Sequence, residues 1–202
     1  MRKNSSYHHG DLKEALIQKA LEHLNNGADI SAVSLRGLAA ELGVSKGAPY
    51  RHFPSADMFV AAVGQRGFVI LTDQLTSTAI SSKDKEPPEY ALFHKRAAAY
   101  LQFAYDHPHL YRTMFLYRKD HIIHYPELID AALNALQVLR EDIDAIVNTK
   151  TKPSVTGEQA FLAAWAYLHG LADIIINRLT DLPAPPEPDF FQGMAAVITS
   201  GI

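Results

Sequence analysis

Cysteine is absent from this sequence of 202 residues, which excludes disulfides, zinc-thiolate centres and thiol nucleophiles and suits a reducing compartment such as the cytoplasm. Long apolar runs are missing as well. The longest without a charge, residues 160–172, is about 13 residues against the roughly 20 that a membrane span needs, so no membrane partner is expected. The first ten residues are polar and carry Arg2, Lys3, His8 and His9 where a secretory signal needs an apolar stretch, and no export is expected. No sustained period-two alternation occurs, and no Asn-Gly or Asp-Gly turn sits between strand-like runs, which argues against β hairpins. Excess charge is scarce, at −3 net, but it is uneven. Residues 1–70 hold 8 Lys/Arg against 6 Asp/Glu, whereas residues 71–202 hold 11 against 16. Only the first third suits a polyanion.

What is present is a hydrophobic content of 48%, enough for a substantial core, patterned at helical spacing. The expected fold class is all-α. A first helix over residues 11–26 groups Leu12, Ala15, Leu16, Leu21 and Leu24 largely on one face, and Gly27 stops it. Ser34 caps a short second helix to Leu42, Gly43 and Val44 turn the chain, and Ser45 caps a third short helix ending near His52. Ser55 is expected to cap a long helix that reaches about Ile80. Further helices are expected at residues 89–106, 108–119 and 126–148, with Pro108 and Pro126 in first turns. Thr156-Gly157-Glu158-Gln159 has capping-box form and opens a helix to about Thr180; a last short helix follows a proline-rich link.

Chemistry enters between Ser34 and Phe53. Small Ala39 lets two helices cross closely, Gly43 permits the turn between them, and Leu38, Leu42 and Val44 supply an apolar seam. That spacing fits a DNA-binding helix-turn-helix or an ordinary helical hairpin. The string Val44-Ser45-Lys46-Gly47-Ala48-Pro49-Tyr50-Arg51-His52-Phe53 resembles the recognition-helix signature of tetracycline-repressor (TetR) family regulators. Tyr7-His8-His9-Gly10-Asp11-Leu12 and the spaced Trp165, His169 and Gly170 resemble the subgroup whose C-terminal domain is named for a Trp-His-Gly motif.

The resemblance implies an N-terminal three-helix DNA-binding domain, residues 1–56 with a flexible arm at 1–10. A larger helical effector-binding and dimerisation domain, residues 57–202, would follow. It implies that Ser45, Lys46, Gly47 and Ala48 face the major groove, with Arg36 reaching in from the preceding helix. Tyr50 and His52 would touch phosphate, and Ser34 would present a helix N-terminus to a phosphate oxygen. Lys46 and Arg36 have the donors to read guanine edges. Phe53 is assigned to the core. Where the family has lysine early in the fourth helix this chain has Ala56 and Asp57, so one phosphate contact is missing. Pro49 is tolerated if it falls in a first turn. Arg2 and Lys3 either follow a groove or form a solvated tail.

Ten histidines raise a metal reading, chiefly His107 with His109 and His121 with His124, but no further ligands stand at a recognisable spacing, and no metal or other cofactor is expected. Nucleophile-elbow, phosphate-loop and paired-carboxylate patterns are absent, so no catalysis is expected. The aromatic set around Phe103, Tyr111, Met114 and Phe115 either fills a core or lines an effector pocket of the kind the family builds there. Trp165, His169 and Asp173 recur along one face of an apolar helix; His169 and Asp173 either satisfy each other or present polar groups to an effector. The expected function is a ligand-responsive DNA-binding regulator, a repressor released from its operator by a small, mostly apolar effector. Its expected partners are double-stranded operator DNA, the effector and a second copy bound through the C-terminal helices. The alternative is a helical small-molecule binding protein whose operator binding is weak or lost.

Overall fold

A computed structural model describes residues 9–80, 85–117, 122–151, 155–178 and 188–199, and among them every regular element is helical. The α-helices are α1 (His9–Asn25), α2 (Leu35–Glu41), α3 (Ala56–Thr76), α4 (Pro88–Asp106), α5 (Pro108–Met114), α6 (Pro126–Asn148), α7 (Gly157–Ile176) and α8 (Pro188–Thr199), with single 3-10 turns at Ile30–Ala32 and Pro49–Arg51. The all-α class read from the sequence holds. Contacts divide the chain into two compact units. The first contains residues 1–67 and 109–130, the second residues 68–108 and 131–202.

In the first unit α1 buries Leu12, Leu16, Ile17, Ala20, Leu21 and Leu24, which recur at helical spacing and pack against α2 and the 3-10 turn at Pro49. Gly27 ends α1 at φ +89°, with Ala28 N–H donating to His23 O and Gly27 N–H to Leu24 O, the paired bonds of a Schellman stop. From α3, Arg66 reaches α1 with both terminal nitrogens, 2.5 and 2.6 Å from the two Glu14 carboxylate oxygens. That guanidinium fork, aided by Gln18, holds Glu14 down at about 2 against an ordinary 4.5. Helices α3 and α5 approach closely where glycines remove the side chain: a Cβ on Gly67 would lie 2.6 Å from Met114 Cγ, and one on Gly64 3.3 Å from the Thr113 carbonyl oxygen.

In the second unit α4 is the central helix, packed by both α7 and α8. Its buried residues include Phe93, Ala97, Tyr100, Leu101, Phe103 and Ala104. The stripe Ala160, Ala164, Leu168, Ala172 and Ile175 of α7 is buried too. Two polar links cross this core. Arg96 donates to Asp142 Oδ1 at 2.6 Å and to the Leu75 carbonyl oxygen at 3.1 Å. Burial outweighs the guanidinium and pushes the Asp142 carboxyl up to about 6. His94 lies 2.8 Å from Glu86 Oε2 through Nδ1 and 2.8 Å from Thr199 Oγ1 through Nε2, which ties α8 to α4.

Helix ends differ from the sequence reading where side chains compete for the backbone. Helix α3 stops at Thr76, short of Ile80: the hydroxyls of Thr76, Ser77 and Thr78 turn back onto carbonyls of residues 72–74, offering those carbonyls another partner. Helix α5 ends at Met114 rather than at residue 119, and α7 at Ile176 rather than at Thr180. The capping box at Thr156 forms as read, with Thr156 N–H donating to Gln159 Oε1 and Gln159 N–H to Thr156 Oγ1. Helix α7, of 20 residues with mean hydropathy 1.3, is long and apolar enough to cross a membrane by length and composition, the single such helix among the described residues. The count of 160–172 understated it because it stopped at Asp173, beyond which the isoleucines at 174–176 continue the apolar stretch.

Candidate nucleic-acid interface

The helix-turn-helix segment is built by three local devices. Ser34, in extended backbone, caps α2 by accepting from Gly37 N–H at 3.1 Å. Gly43 then turns the chain at φ +68°, with Val44 N–H donating to Ala39 O and Gly43 N–H to Ala40 O, a second Schellman stop. Ala39 is fully buried and Leu38 nearly so, which fits their assignment to a close helix crossing.

The third short helix expected over residues 45–52 is instead a turn followed by the 3-10 turn Pro49–Arg51. Ser45 serves it through its carbonyl oxygen, which accepts from Ala48 N–H, while the cap position of the 3-10 turn is Ala48, which has no capping side chain. The cause is Pro49: with no N–H it leaves the carbonyl of Ser45 without an i+4 donor, so the segment closes on i+3 bonds, His52 N–H to Pro49 O among them. Pro49 itself is buried at the first position of its turn, where a missing N–H costs little. Phe53 N–H also donates to Pro49 O, and its ring is buried edge-on against Phe59 at 5.1 Å between centroids, the core role read from sequence.

All eight residues singled out for DNA lie in the first unit. Ser34, Arg36, Ser45, Lys46, Gly47 and Tyr50 are exposed, and Ala48 and His52 are partly covered. Among the described residues, Arg36, Lys46 and Arg51 make no ion pair, whereas Glu41, the acid nearest to Arg36 and Lys46 in sequence, is held 2.9 Å from His23 Nε2. Arg51 was missed by the sequence reading; its signal was a third cation inside the same short motif. Helix α3 begins with Ala56 and Asp57, so an acidic side chain stands in its first turn, and the Tyr117 hydroxyl donates to the Asp57 carbonyl oxygen at 2.9 Å. The arm at residues 1–8 lies outside the described residues.

Residues 93–198 match the family described as tetracyclin repressor-like, C-terminal domain, and residues 17–63 match bacterial regulatory proteins, tetR family. The chain belongs to the TetR family. It is therefore a transcriptional regulator with an N-terminal helix-turn-helix domain and a C-terminal helical domain; members of this family are DNA-binding proteins and not enzymes. Among solved structures it is similar to a protein of unknown function from Rhodococcus sp. RHA1, with TM-score 0.78 and 24% identity over 98% of this chain and 99% of that one. A regulatory protein of the tetR family from Rhodococcus RHA1 is similar at TM-score 0.65, with 16% identity over 94% and 95% of the two chains. The TetR family regulator PfmR from Thermus thermophilus gives TM-score 0.60, with 18% identity over 93% and 98%. No curated protein matches the chain.

The residues singled out for an effector fall in both units. Tyr111, Met114 and Phe115 belong to the first, where Tyr111 and Met114 are buried and the Tyr111 and Phe115 rings lie 4.8 Å apart. Phe103, Trp165 and His169 belong to the second. Phe103 is fully buried, its ring 5.1 Å from that of His107. Trp165 and His169 are partly covered, with ring centroids 6.0 Å apart, and Trp165 Nε1 is a buried donor with no acceptor among the described residues. Burial holds the His169 imidazole below its ordinary value, with Asp173 opposing. Among the described residues no group of three or more His, Asp or Glu gathers to hold a metal; His121 lies outside them.

Proposed function

We propose that this TetR-family regulator is a ligand-responsive repressor that leaves its operator when a small, mostly apolar effector binds. In this reading residues 1–56 bind DNA and residues 57–202 bind effector and partner. The observation that carries it is the set of exposed cations without ion partners, Arg36 and Lys46, joined by Arg51, on the helix-turn-helix segment. Lys46 and Arg36 read base edges, Ser45, Gly47 and Ala48 let the segment approach the major groove, and Tyr50, His52 and the N-terminus of α2 at Ser34 hold phosphates. The setting is the cytoplasm, where that DNA is. A mobility-shift assay on the sequence upstream of the gene tests this. Lys46→Ala is expected to lower specific affinity by roughly 1–3 kcal/mol and relax selection at one position, whereas Tyr50→Phe weakens all sequences alike. Unchanged affinity and selection in Lys46→Ala would remove the base-reading role.

Trp165, His169 and Gly170 on α7 support placement in the Trp-His-Gly subgroup. Effector-binding roles are proposed for Phe103, Trp165 and His169 of the second unit and for Tyr111, Met114 and Phe115 of the first. The support for this in the second unit is the buried Trp165 indole N–H, which has no acceptor among the described residues, beside the His169 imidazole, whose cation burial disfavours. The homodimer is proposed through α7 and α8, because α7 leaves Leu162 57% exposed and α8 leaves Val197 57% exposed. A second reading, a small-molecule binding protein with weak or lost operator affinity, draws on Ala56, followed by Asp57, standing where the family has lysine. The same mobility-shift assay separates the two.

A further inference from the structure

Within the first unit a cavity of about 190 Å³ opens among α1, the recognition segment, α3 and the turn entering α6. Drug-sized ligands occupy roughly 300–1,000 Å³, so its occupant is compact. The polar wall carries Lys13, His52, Gln65, His124, Tyr125 and Glu127. One ammonium and two imidazoles thus face a single carboxylate. Among the described residues Lys13 makes no ion pair, and neither imidazole has a hydrogen bond. The rest of the lining is apolar: Phe53, Met58 and Leu128, with Ala61 and Ala62 keeping it open. Lys13 Nζ stands 5.9 Å from the Phe53 ring centroid, which sets the charge over that apolar part. Met58 is 45% exposed, an apolar, adaptable side chain left uncovered at the cavity.

We infer that this cavity binds a small organic monoanion, a carboxylate carried on a compact apolar body, in a site separate from the effector site proposed above. Lys13 and the imidazole N–H donors take the carboxylate, and Met58 and Leu128 cover the apolar body. Glu127 disfavours a dianion, and the apolar lining disfavours an inorganic one. His52 belongs to the recognition segment, so the bound anion touches the element that faces DNA.

The test uses the full chain without DNA, so failure of operator recognition leaves it unaffected. Benzoate is titrated while the methyl signals of methionine are followed by NMR, with benzamide and inorganic phosphate as comparisons. Saturable movement of the Met58 methyl by benzoate is expected, with both comparisons about tenfold weaker or more. Lys13→Met is expected to weaken benzoate by about tenfold. Ala62→Leu, which fills the cavity from its wall, is expected to abolish binding, with thermal melting showing that both variants stay folded. An unmoved Met58 signal, equal binding of benzamide or phosphate, or unchanged benzoate affinity in a folded Lys13→Met or Ala62→Leu protein each overturns the site.

Discussion

At the residue scale, the side chains that hold the fold and those proposed for DNA differ in whether their charges are satisfied. Glu14 and Arg66 are paired in a fork, and the Glu14 carboxyl is lowered from 4.5 to about 2. A depressed carboxyl contributes stability that is present above its unfolded value and lost as pH falls through the folded one, so this contribution fades between about 4.5 and 2. Glu14 is 46% exposed, and solvent screening keeps the worth of the pair to about 0.5–1 kcal/mol. Arg66→Met is therefore expected to cost about that much at neutral pH and to return the Glu14 titration towards 4.5, as read by urea unfolding and carboxyl NMR. A Glu14 that stays near 2 in the variant would show that Arg66 is not the cause. His169 has the opposite chemistry: burial disfavours its cation, so its neutral form contributes stability above 6.5 that is lost on acidification through a lower folded value. His169→Phe is expected to remove that acid-side loss.

At the element scale, α3 and α5 meet through glycines that the sequence reading passed over, because a glycine inside an apolar helical pattern looks like a weak helix former until its neighbour is known. Alanine at Gly67 meets Met114, which is itself fully buried and has no room to retreat. Overpacking of about 1–3 kcal/mol is expected to outweigh the roughly 0.5–1 kcal/mol that alanine gains in a helix. Gly67→Ala should therefore lower the melting temperature; a rise would mean the two helices part freely. What was legible in the sequence was what local chemistry decides: the Schellman stops at Gly27 and Gly43, the caps at Ser34, Ser55 and Thr156, and the prolines opening α5 and α6. The recognition segment was misread as a capped helix because Ser45 has the side chain of a cap, while the missing N–H of Pro49 controls the backbone there. Candidate DNA residues were legible as a motif. The cavity beside His52 was not, because His124 and Glu127 come from the turn before α6 and the start of α6, some 70 residues away.

At the scale of the whole molecule, α7 is apolar nearly all round, and only 28% of its most apolar stretch is buried within one chain. In the proposed dimer a second copy covers that surface, and sedimentation at micromolar concentration without ligand or DNA is expected to show a dimer; a monomer would contradict it. Such a dimer carries two recognition segments related by a two-fold axis, and DNA read by it must repeat with the same symmetry. Effector control then requires different affinities in the bound and released states, so His169→Phe and Tyr111→Ala should shift the effector dose while sparing binding to DNA without effector. Two folded variants with an unchanged dose would return these residues to the core. The most direct measurement of the central claim is selection of binding sites by the intact protein from a pool of random duplex DNA. The account predicts enrichment of one pseudo-palindromic sequence, its half-sites about one helical turn or a multiple of it apart, and loss of that enrichment in Lys46→Ala. Failure to enrich any sequence, or enrichment that Lys46→Ala leaves intact, would contradict it.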